Sequence, residues 1–365
     1  LKLGGSAGHT LGCDAARRGM GSARKATTLI DKTAGGCVLR WSVPAAVTPR
    51  AVSVFERQLR PSRTARRISI AGPASGASAA LRSRPRTSFA MAMDESGPYK
   101  IEPILPHFGA YIRDFSLDGT EPLPQAIVDR IREDMRKHRV LVFKDQGQIS
   151  GARQVEISKQ LGEIESTFYK HPKSPHPDIF RVSNDETEGC TNVGRTGWHI
   201  DGTFQPMPFK YQTMHFHSMC EGGETWFVPL AEFYEMQAEA TKARWDKLWM
   251  VTGRRQYAHP MVYKHPVRGD KTLMFHCGPP FCAGWAAEDD SQPPRVTHMI
   301  APGIVQAELT TLLDAAVDRI GVKMCWEAGD FAINDNLGNC HYAAPGTQNR
   351  KTEAGLRILH RTTIA

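Results

Sequence analysis

The sequence predicts a mainly β protein in which sheets packed face to face form the core and helices decorate the outside. Three observations support this fold class. Most apolar runs have the length of a strand, helical periodicity is confined to a few stretches, and no internal repeat or second linker interrupts the chain after Tyr99. Many short strands with few helices are typical of a sheet-on-sheet architecture.

Helical periodicity predicts four helices. In the first, Ile127, Ile131 and Met135 recur every four residues and therefore share one face. The second begins at Ser150, whose hydroxyl can cap a helix start. The last carries an apolar stripe that includes Leu309. The predicted helices are residues 124–137, 150–162, 232–247 and 305–320.

Extended apolar segments predict strands between these helices. Residues 140–143 form a continuous apolar run, as expected for a strand that is buried on both faces. In the last segment, residues 356–364, strict alternation places different side chains on the two faces, as expected for a strand. The predicted strands are residues 100–104, 110–115, 140–143, 179–182, 211–217, 225–228, 323–326, 330–334 and 356–364.

The positive charge of the chain lies in its first 93 residues. The 365 residues include 46 Lys and Arg against 38 Asp and Glu, and residues 1–93 hold 16 of the basic and three of the acidic ones. Residues 94–365 are therefore acidic on balance, which argues against nucleic acid as a partner of this part. No apolar run reaches the roughly 18 to 20 residues that span a bilayer, so no membrane span is predicted.

Residues 1–93 are predicted to be a leader outside the fold, and residues 94–365 a single domain. The leader is rich in Ala, Ser, Gly and Arg and poor in acid, as in an organellar transit peptide. The alternative is upstream sequence that does not belong to the mature protein, since Met91 and Met93 stand just before the first patterned residues. The expected location is intracellular: a plastid or mitochondrion if the leader is a transit peptide, and otherwise the cytoplasm. Eight scattered cysteines agree with a reducing compartment.

The segment Trp198-His199-Ile200-Asp201 is the first candidate for chemistry. In an extended chain His199 and Asp201 point to the same face, about 6 to 7 Å apart at Cα, and Ile200 points to the core. A histidine and a carboxylate so placed can bind one metal ion. A second His-x-Asp sequence, His176-Pro177-Asp178, lies in a proline-rich loop and is interpreted as a surface turn.

His341 is the candidate for a third metal ligand. It follows a predicted strand that closes in the polar residues Asp335 and Asn336, near a strand end where a site can be built. Two histidines and one carboxylate that leave open positions on the ion are the arrangement of non-heme Fe(II) oxygenases. The alternative for His341 taken alone is a loop histidine whose hydrogen bonds are satisfied.

The last predicted strand carries two arginines on one face. Alternation places Arg357 and Arg361 on the same side as Leu359 and Thr363. Guanidinium groups on a partly apolar face indicate an anion-binding cavity. Their Cα atoms would be about 13 Å apart, so two anions, or two ends of one pocket, are expected. The alternative is an exposed edge strand whose arginines favour solubility.

Six short motifs occur in a fixed order along the domain. They are GWHIDGTF at residues 197–204, GGET at 222–225, two His-Pro pairs at 259–260 and 265–266, GDFAINDN at 329–336, HYA at 341–343 and RILHR at 357–361. Each motif is weak alone, but together they resemble the taurine dioxygenase (TauD/TfdA) family of Fe(II)/2-oxoglutarate oxygenases. The likeness runs from about Ile101 to Ile364. It implies a double-stranded β-helix, a jelly roll with helical insertions.

The resemblance implies a role for each candidate residue. His199, Asp201 and His341 would bind Fe(II). Arg357 would hold the distal carboxylate of 2-oxoglutarate, and the Thr225 hydroxyl would add a hydrogen bond to it. The implied reaction uses O2 and 2-oxoglutarate, releases succinate and CO2, and hydroxylates a C–H bond of the primary substrate.

The resemblance also implies a small anionic substrate, an organic acid or a sulfonate, whose anionic group Arg361 would face. The loop after Gly162-Glu163 departs from the family pattern, because the histidine before a proline, His171, comes later than in taurine dioxygenases. This argues against taurine itself. Tyr169, Lys170 and His171 line the pocket in one interpretation and form a solvated loop in the other.

Two other functions remain open from the sequence. A metal-binding jelly roll without oxygenase activity, such as a sensor or storage protein, would use the same three ligands but would not need Arg357 or Thr225. A zinc hydrolase could use a similar ligand set, although no glutamate adjoins either histidine in the H-E-x-x-H manner. The sequence also leaves the oligomeric state open, including a homo-oligomer.

Overall fold

A computed structural model describes residues 97–165, 169–194, 197–288, 296–348 and 350–365. The predicted leader, residues 1–93, and its boundary at residue 94 lie outside these ranges. The described residues confirm the predicted fold class, because strands packed face to face form the centre and helices lie at the periphery.

Sixteen strands in the described residues form four sheets. The major sheet has seven strands in the order β1 (Lys100–Leu105), β2 (Phe108–Arg113), β3 (Val140–Phe143), β14 (Phe331–Asp335), β5 (Tyr211–Ser218), β16 (Ile358–Ile364) and β4 (Phe180–Ser183). The minor sheet has the order β13 (Val322–Met324), β6 (Thr225–Pro229) and β15 (Asn339–Ala343). A four-stranded sheet has the order β12 (Val296–Ile300), β11 (Cys282–Glu288), β7 (Leu248–Thr252) and β8 (Ala258–Pro260). The last sheet pairs β9 (Val262–Lys264) with β10 (Lys271–Leu273).

Six α-helices surround these sheets. They are α1 (Gln125–His138), α2 (Gly151–Leu161), α3 (Leu230–Glu235), α4 (Glu239–Trp245), α5 (Pro302–Ile320) and α6 (Lys351–Ala354). As predicted, the Ser150 side chain caps α2 by accepting a hydrogen bond from the backbone N–H of Arg153 at 3.2 Å. Among the described helices, none is long and apolar enough to cross a membrane.

The major and minor sheets pack face to face. Between them lies an apolar cluster in which Phe216 of β5 stacks on Trp326 at a ring distance of 4.1 Å, and Phe227 of β6 meets the same indole edge-on. A second apolar cluster fills the space between the opposite face of the major sheet and helices α1 and α2. The major sheet is therefore covered on both faces, except at its edge strand β1, whose residues are exposed or only partly buried.

Helix α2 is fixed to the outer face of the major sheet by a buried polar network. The hydroxyls of Ser158, Thr213 and Thr362 lie within 2.6 to 3.2 Å of one another. The Gln154 side chain donates to the Thr213 hydroxyl and to the backbone carbonyl of His360, each at 3.1 Å. These bonds tie β5, β16 and α2 together directly behind the arginine-bearing face of β16.

The predicted elements are largely confirmed, with three differences. The expected helix at residues 232–247 is two short helices, α3 and α4, and its last two residues form a turn before β7 begins. Strands β7 to β12 were not predicted, because several are only three residues long and lack a clear alternation. His341, expected near a strand end, lies in the middle of β15, a short strand that begins with a polar asparagine.

Phe331 begins β14, the middle strand of the major sheet, and allows a test of this packing. Phe331 is fully buried between the sheet and the helices, so Phe331→Ala should lower the free energy of unfolding by about 3 to 5 kcal/mol. Ile304→Ala is the control, because Ile304 is 64% exposed and its loss should change stability by about 0.5 kcal/mol or less. Urea unfolding followed by tryptophan fluorescence measures both. Equal midpoints for the two variants would contradict the described packing.

Candidate active site

One cavity of about 210 Å³ opens between the major and minor sheets. All six site residues predicted from the sequence line it: His199, Asp201, Thr225, His341, Arg357 and Arg361. Aromatic and aliphatic side chains form much of the remaining wall, including Phe180, Phe204 and Phe281. The fold therefore brings together residues that are more than 150 positions apart in the sequence.

His199 is positioned by backbone pairing on both sides. It forms isolated antiparallel bridges with His276 and with His341, so three imidazoles lie side by side across adjacent segments. The Nδ1–H of His199 donates to the carbonyl of Gly197 at 2.7 Å, which leaves the Nε2 lone pair free to face the cavity. Burial, and then the nearby His341, lower the pKa of His199 to about 4. The imidazole is neutral at physiological pH, as a metal ligand must be.

Asp201 is a mostly buried carboxylate, 15% exposed, whose two oxygens have different partners. Its Oδ2 accepts hydrogen bonds from Gln212 Nε2 at 2.5 Å and from Arg361 Nη1 at 2.7 Å. Its Oδ1 accepts no hydrogen bond from the described residues and faces His199 Nε2 at 3.8 Å. Burial alone would raise the pKa of Asp201, but Arg361, His341 and His199 outweigh it and hold the pKa well below its usual range.

His341 completes a cluster that could hold a metal ion. Its Nε2 lies 3.4 Å from Asp201 Oδ2, and one ligand atom from each of His199, Asp201 and His341 lies within 4.8 Å of the others. The Nδ1 of His341 is buried and has no hydrogen-bond partner in the described residues. Two imidazoles and one carboxylate are a donor set suited to Fe(II).

Arg357 is a buried guanidinium that is 3% exposed. Among the described residues, its Nε has no hydrogen-bond partner and no acidic side chain pairs with it. Burial lowers its pKa to about 10, so the side chain remains a cation at physiological pH. Close by in the same cavity, the Thr225 hydroxyl accepts a hydrogen bond from Trp326 Nε1 at 3.0 Å, which leaves its own O–H free to donate.

The alternation predicted for the last strand is confirmed. Arg357, Leu359, Arg361 and Thr363 all line the cavity, which excludes the alternative of an exposed edge strand. Arg361 also packs over the ring of Phe180 at 5.1 Å. Because its Nη1 is bonded to Asp201, this guanidinium bridges the candidate metal cluster and the aromatic wall.

His276 is a cavity residue that the sequence analysis did not identify. Its ring stacks between His199 at 4.6 Å and Phe281 at 4.1 Å. Its Nδ1 accepts a hydrogen bond from the N–H of Gly278 at 3.0 Å, so Nε2 carries the proton of the neutral ring. Its one sequence signal is that residues 275–282 differ from the family's usual continuation after the two His-Pro pairs.

Two buried amides that support Asp201 were also missed. Asn336 Oδ1 accepts the backbone N–H of Asp201 at 2.8 Å, and its Nδ2 donates to the carbonyls of Asp201 and Phe209. Gln212, which donates to the Asp201 carboxylate, is itself oriented by Asn334 Nδ2 at 3.0 Å. Amide side chains give no sequence signal for such roles, because each one depends on a distant strand.

Residues 169–171 were expected either to line the pocket or to form a solvated loop, and the structure shows one residue in the first role and two in the second. Tyr169 lines the cavity and stacks on Phe180 at a ring distance of 4.6 Å. Lys170 and His171 bond to backbone carbonyls at the surface and do not line the cavity. The His176–Asp178 sequence forms a local turn with a 3.6 Å ion pair, as expected.

Comparison with known proteins identifies the family. The model of the family described as "Taurine catabolism dioxygenase TauD, TfdA family" matches residues 100–363. The chain belongs to the TauD/TfdA family. It is therefore a 2-oxoglutarate-dependent non-heme iron dioxygenase with the jelly-roll fold of that family, and the resemblance seen in the sequence is confirmed.

Individual TauD/TfdA relatives agree with this assignment. The chain is 27% identical over 295 residues to an alpha-ketoglutarate-dependent sulfate ester dioxygenase of Pseudomonas putida, a match that covers 73% of this chain and 89% of the relative. It is 24% identical over 255 residues to an (S)-phenoxypropionate/alpha-ketoglutarate-dioxygenase of Sphingobium herbicidovorans, covering 63% and 83%. A crystal structure of a taurine dioxygenase from Burkholderia xenovorans superposes with a TM-score of 0.56 at 26% identity, covering 73% and 90%.

The contact between Asn336 and Asp201 generates a prediction about metal binding. Asn336→Ala removes the hydrogen bonds that fix the Asp201 backbone, so it should weaken Fe(II) binding by about 10- to 100-fold. Asn339→Ala is a matched control, because Asn339 is equally buried but donates to Asp335 and Arg139 instead. Anaerobic Fe(II) titration measures the affinity of both. Equal affinities would show that Asn336 does not position Asp201.

Proposed function

We propose that the chain hydroxylates a C–H bond of a small anionic substrate, with His199, Asp201 and His341 holding Fe(II). The donor set supports this proposal, because the free Nε2 of His199 and the free Oδ1 of Asp201 face each other beside His341. Iron bound there would supply, with 2-oxoglutarate and O2, an oxidant for a C–H bond. Succinate and CO2 would be the products of 2-oxoglutarate. The residues of the chain bind, orient and desolvate the reactants.

The unpaired Arg357 is the observation that carries the proposal. A buried guanidinium without a carboxylate partner is costly to the folded protein, and such groups are normally paired. A dicarboxylate that entered the cavity would supply the missing charge, and the free O–H of Thr225 would add a hydrogen bond. A sensor or storage protein would have no use for this cation, so Arg357 favours the oxygenase over the non-catalytic alternative.

The substrate is proposed to place its anionic group at Arg361 and its carbon skeleton on the aromatic wall. Arg361 lies between Asp201 and Phe180, so an anion bound to it would sit beside the candidate metal cluster. The names of the relatives specify a sulfate ester, a phenoxypropionate and taurine, each of which carries a sulfate, carboxylate or sulfonate group. The apolar surfaces of Phe204 and Phe281 suit an alkyl or aryl chain, as in a sulfate ester, better than the short polar chain of taurine.

His276 is proposed to orient the bound reactants. Its Nε2–H is a neutral donor in the cavity, and stacking on both faces of the ring fixes its direction. Burial, and then the neighbouring His199, hold the pKa of His276 well below its usual range, so it would donate a hydrogen bond without adding charge beside the metal. This role does not require His276 to bind iron.

The cofactor role can be tested by absorption spectroscopy. Full-length protein given Fe(II) and 2-oxoglutarate without oxygen should show the visible charge-transfer band of an iron–2-oxoacid complex. His199→Ala should abolish the band, because a ligand is lost. Arg357→Ala should raise the 2-oxoglutarate concentration needed for half of the band by about 30-fold or more, since one partner of a buried charge pair is removed.

Arg350→Ala is the matched control, because this arginine is exposed and lies outside the cavity. It should leave both the band and its midpoint unchanged. A folded, iron-loaded wild-type protein that shows no band would overturn the proposed ligand set. A normal midpoint in Arg357→Ala would remove Arg357 from the 2-oxoglutarate site.

Substrate class can be tested by succinate formation. An alkyl sulfate, an alkanesulfonate and a carboxylate should each stimulate succinate release more than the uncharged alcohol of the same chain length. Arg361→Met should raise KM for the best anion by about tenfold or more, because a charge-assisted hydrogen bond is worth about 1.5 to 3 kcal/mol. The anaerobic band must persist in this variant, since Arg361 also contacts Asp201. Undiminished selectivity for the anion would exclude Arg361 as its anchor.

A further inference from the structure

A cluster of three histidines lies on the face of the major sheet opposite the cavity. His215 and His217 are two residues apart on β5, and His360 is the cross-strand partner of His215 on β16. Their ring centroids are 4.6 Å (His215 and His217), 4.1 Å (His217 and His360) and 6.4 Å (His215 and His360) apart. One ring nitrogen from each lies within 4.8 Å of the other two. His215 and His360 are fully buried, and His217 is partly exposed.

Within the described residues, each of the three rings has a buried nitrogen without a hydrogen-bond partner. These atoms are His215 Nδ1, His217 Nε2 and His360 Nδ1. An unsatisfied buried polar group destabilises a protein by about 1 to 3 kcal/mol, and three of them side by side are unusual. A ligand that satisfied all three together would therefore contribute to stability.

We propose that His215, His217 and His360 form a second metal site, which takes Zn(II) or another borderline divalent transition-metal ion. Imidazole nitrogens are preferred ligands of such ions, and no acidic side chain in the described part of the chain bonds to the cluster, which disfavours Mg(II) and Ca(II). Three imidazoles leave a fourth position for water. The partly exposed His217 provides the route of entry.

The hydrogen bonds of His215 prepare it for this role. Its Nε2–H donates to the backbone carbonyl of Gly147 at 2.9 Å, so its Nδ1 carries the lone pair that points into the cluster. Histidine ligands in known metal sites are oriented by such a bond from the second nitrogen. Burial is the main reason that the pKa of His217 falls to about 4 and that of His360 to about 2, so all three rings are neutral near pH 7.

Arg181 competes with the metal for His360. Its Nη1 donates to His360 Nε2 at 2.6 Å, so the proton of this neutral ring resides on Nδ1 when no metal is bound. Metal coordination through Nδ1 would require the proton to move to Nε2, where it would face the N–H donor of Arg181. The Arg181 side chain would then have to turn away from His360. Glu188 offers it another partner, because the Glu188 backbone carbonyl oxygen already accepts a hydrogen bond from Arg181 Nε at 2.6 Å.

The position of the site indicates a structural role. An ion held by β5 and β16 would fix the strand whose opposite face carries Arg361 and which directly follows Arg357. The ring nitrogens lie within 4.8 Å, and about 3.4 Å is needed around a tetrahedral ion with bonds of 2.0 to 2.1 Å. A rotation of the partly exposed His217 side chain can bring its ring nitrogen closer to the other two and supply much of this shortening.

Zinc stoichiometry tests the proposal independently of the dioxygenase site. The double variant His199→Ala/Asp201→Ala removes the candidate iron ligands, so full-length protein of this type, equilibrated with Zn(II), should retain one zinc with three imidazole scatterers by X-ray absorption. Adding His217→Gln should remove that zinc and abolish the rise in Tm that Zn(II) produces. Adding His171→Gln instead is the control, because His171 is an exposed loop histidine, and the zinc should remain.

Arg181→Met in the same double variant provides a second measurement. Removal of the competing donor and its positive charge should tighten zinc binding by about tenfold, as measured by competition with a chromophoric chelator. Far-UV circular dichroism verifies that each variant is folded. The proposal is overturned if the double variant retains no zinc, if His217→Gln retains it, or if Arg181→Met fails to tighten binding.

Discussion

The buried charge of Asp201 is the constraint on which the rest of the site depends. An ionised carboxylate inside a protein must be matched by nearby donors or cations. Here Gln212 and Arg361 donate hydrogen bonds to one carboxylate oxygen, and the other oxygen faces His199. The same arrangement that stabilises the charge therefore leaves one oxygen directed at the candidate metal position. Asn336 fixes the backbone from which this side chain projects.

Strand β16 connects the two polar regions of the molecule. Its cavity face carries Arg361, Arg357 lines the same cavity immediately before the strand begins, and its opposite face carries His360 beneath helix α2. Because the major sheet is covered on both sides, neither set of side chains is free in water, and each needs a protein or ligand partner. A displacement of this strand would alter both sets together. Several buried hydrogen bonds to β5 and α2 hold the strand in place.

The cavity and the histidine cluster both contain buried polar groups that have no partner in the described residues and that a ligand could satisfy. Arg357 and the unpartnered histidine nitrogens are destabilising as they stand, and large apolar clusters on both sides of the major sheet offset their cost. Ligands that satisfy these groups would recover that free energy as affinity. Family membership gives the chemistry of the cavity, and the placement of these unsatisfied groups indicates where each reactant would be held.

The sequence alone determined the fold class and the six predicted cavity residues. Those residues come from local patterns: a His-x-Asp segment, alternation along β16 and motifs in a fixed order. Only the tertiary structure revealed His276, Gln212, Asn336 and the cluster of His215, His217 and His360. Each of these roles depends on which distant strands become neighbours and in which register. Side-chain alternation fixes the face on which a residue lies, whereas its partners across the sheet are set by long-range pairing that no local pattern encodes.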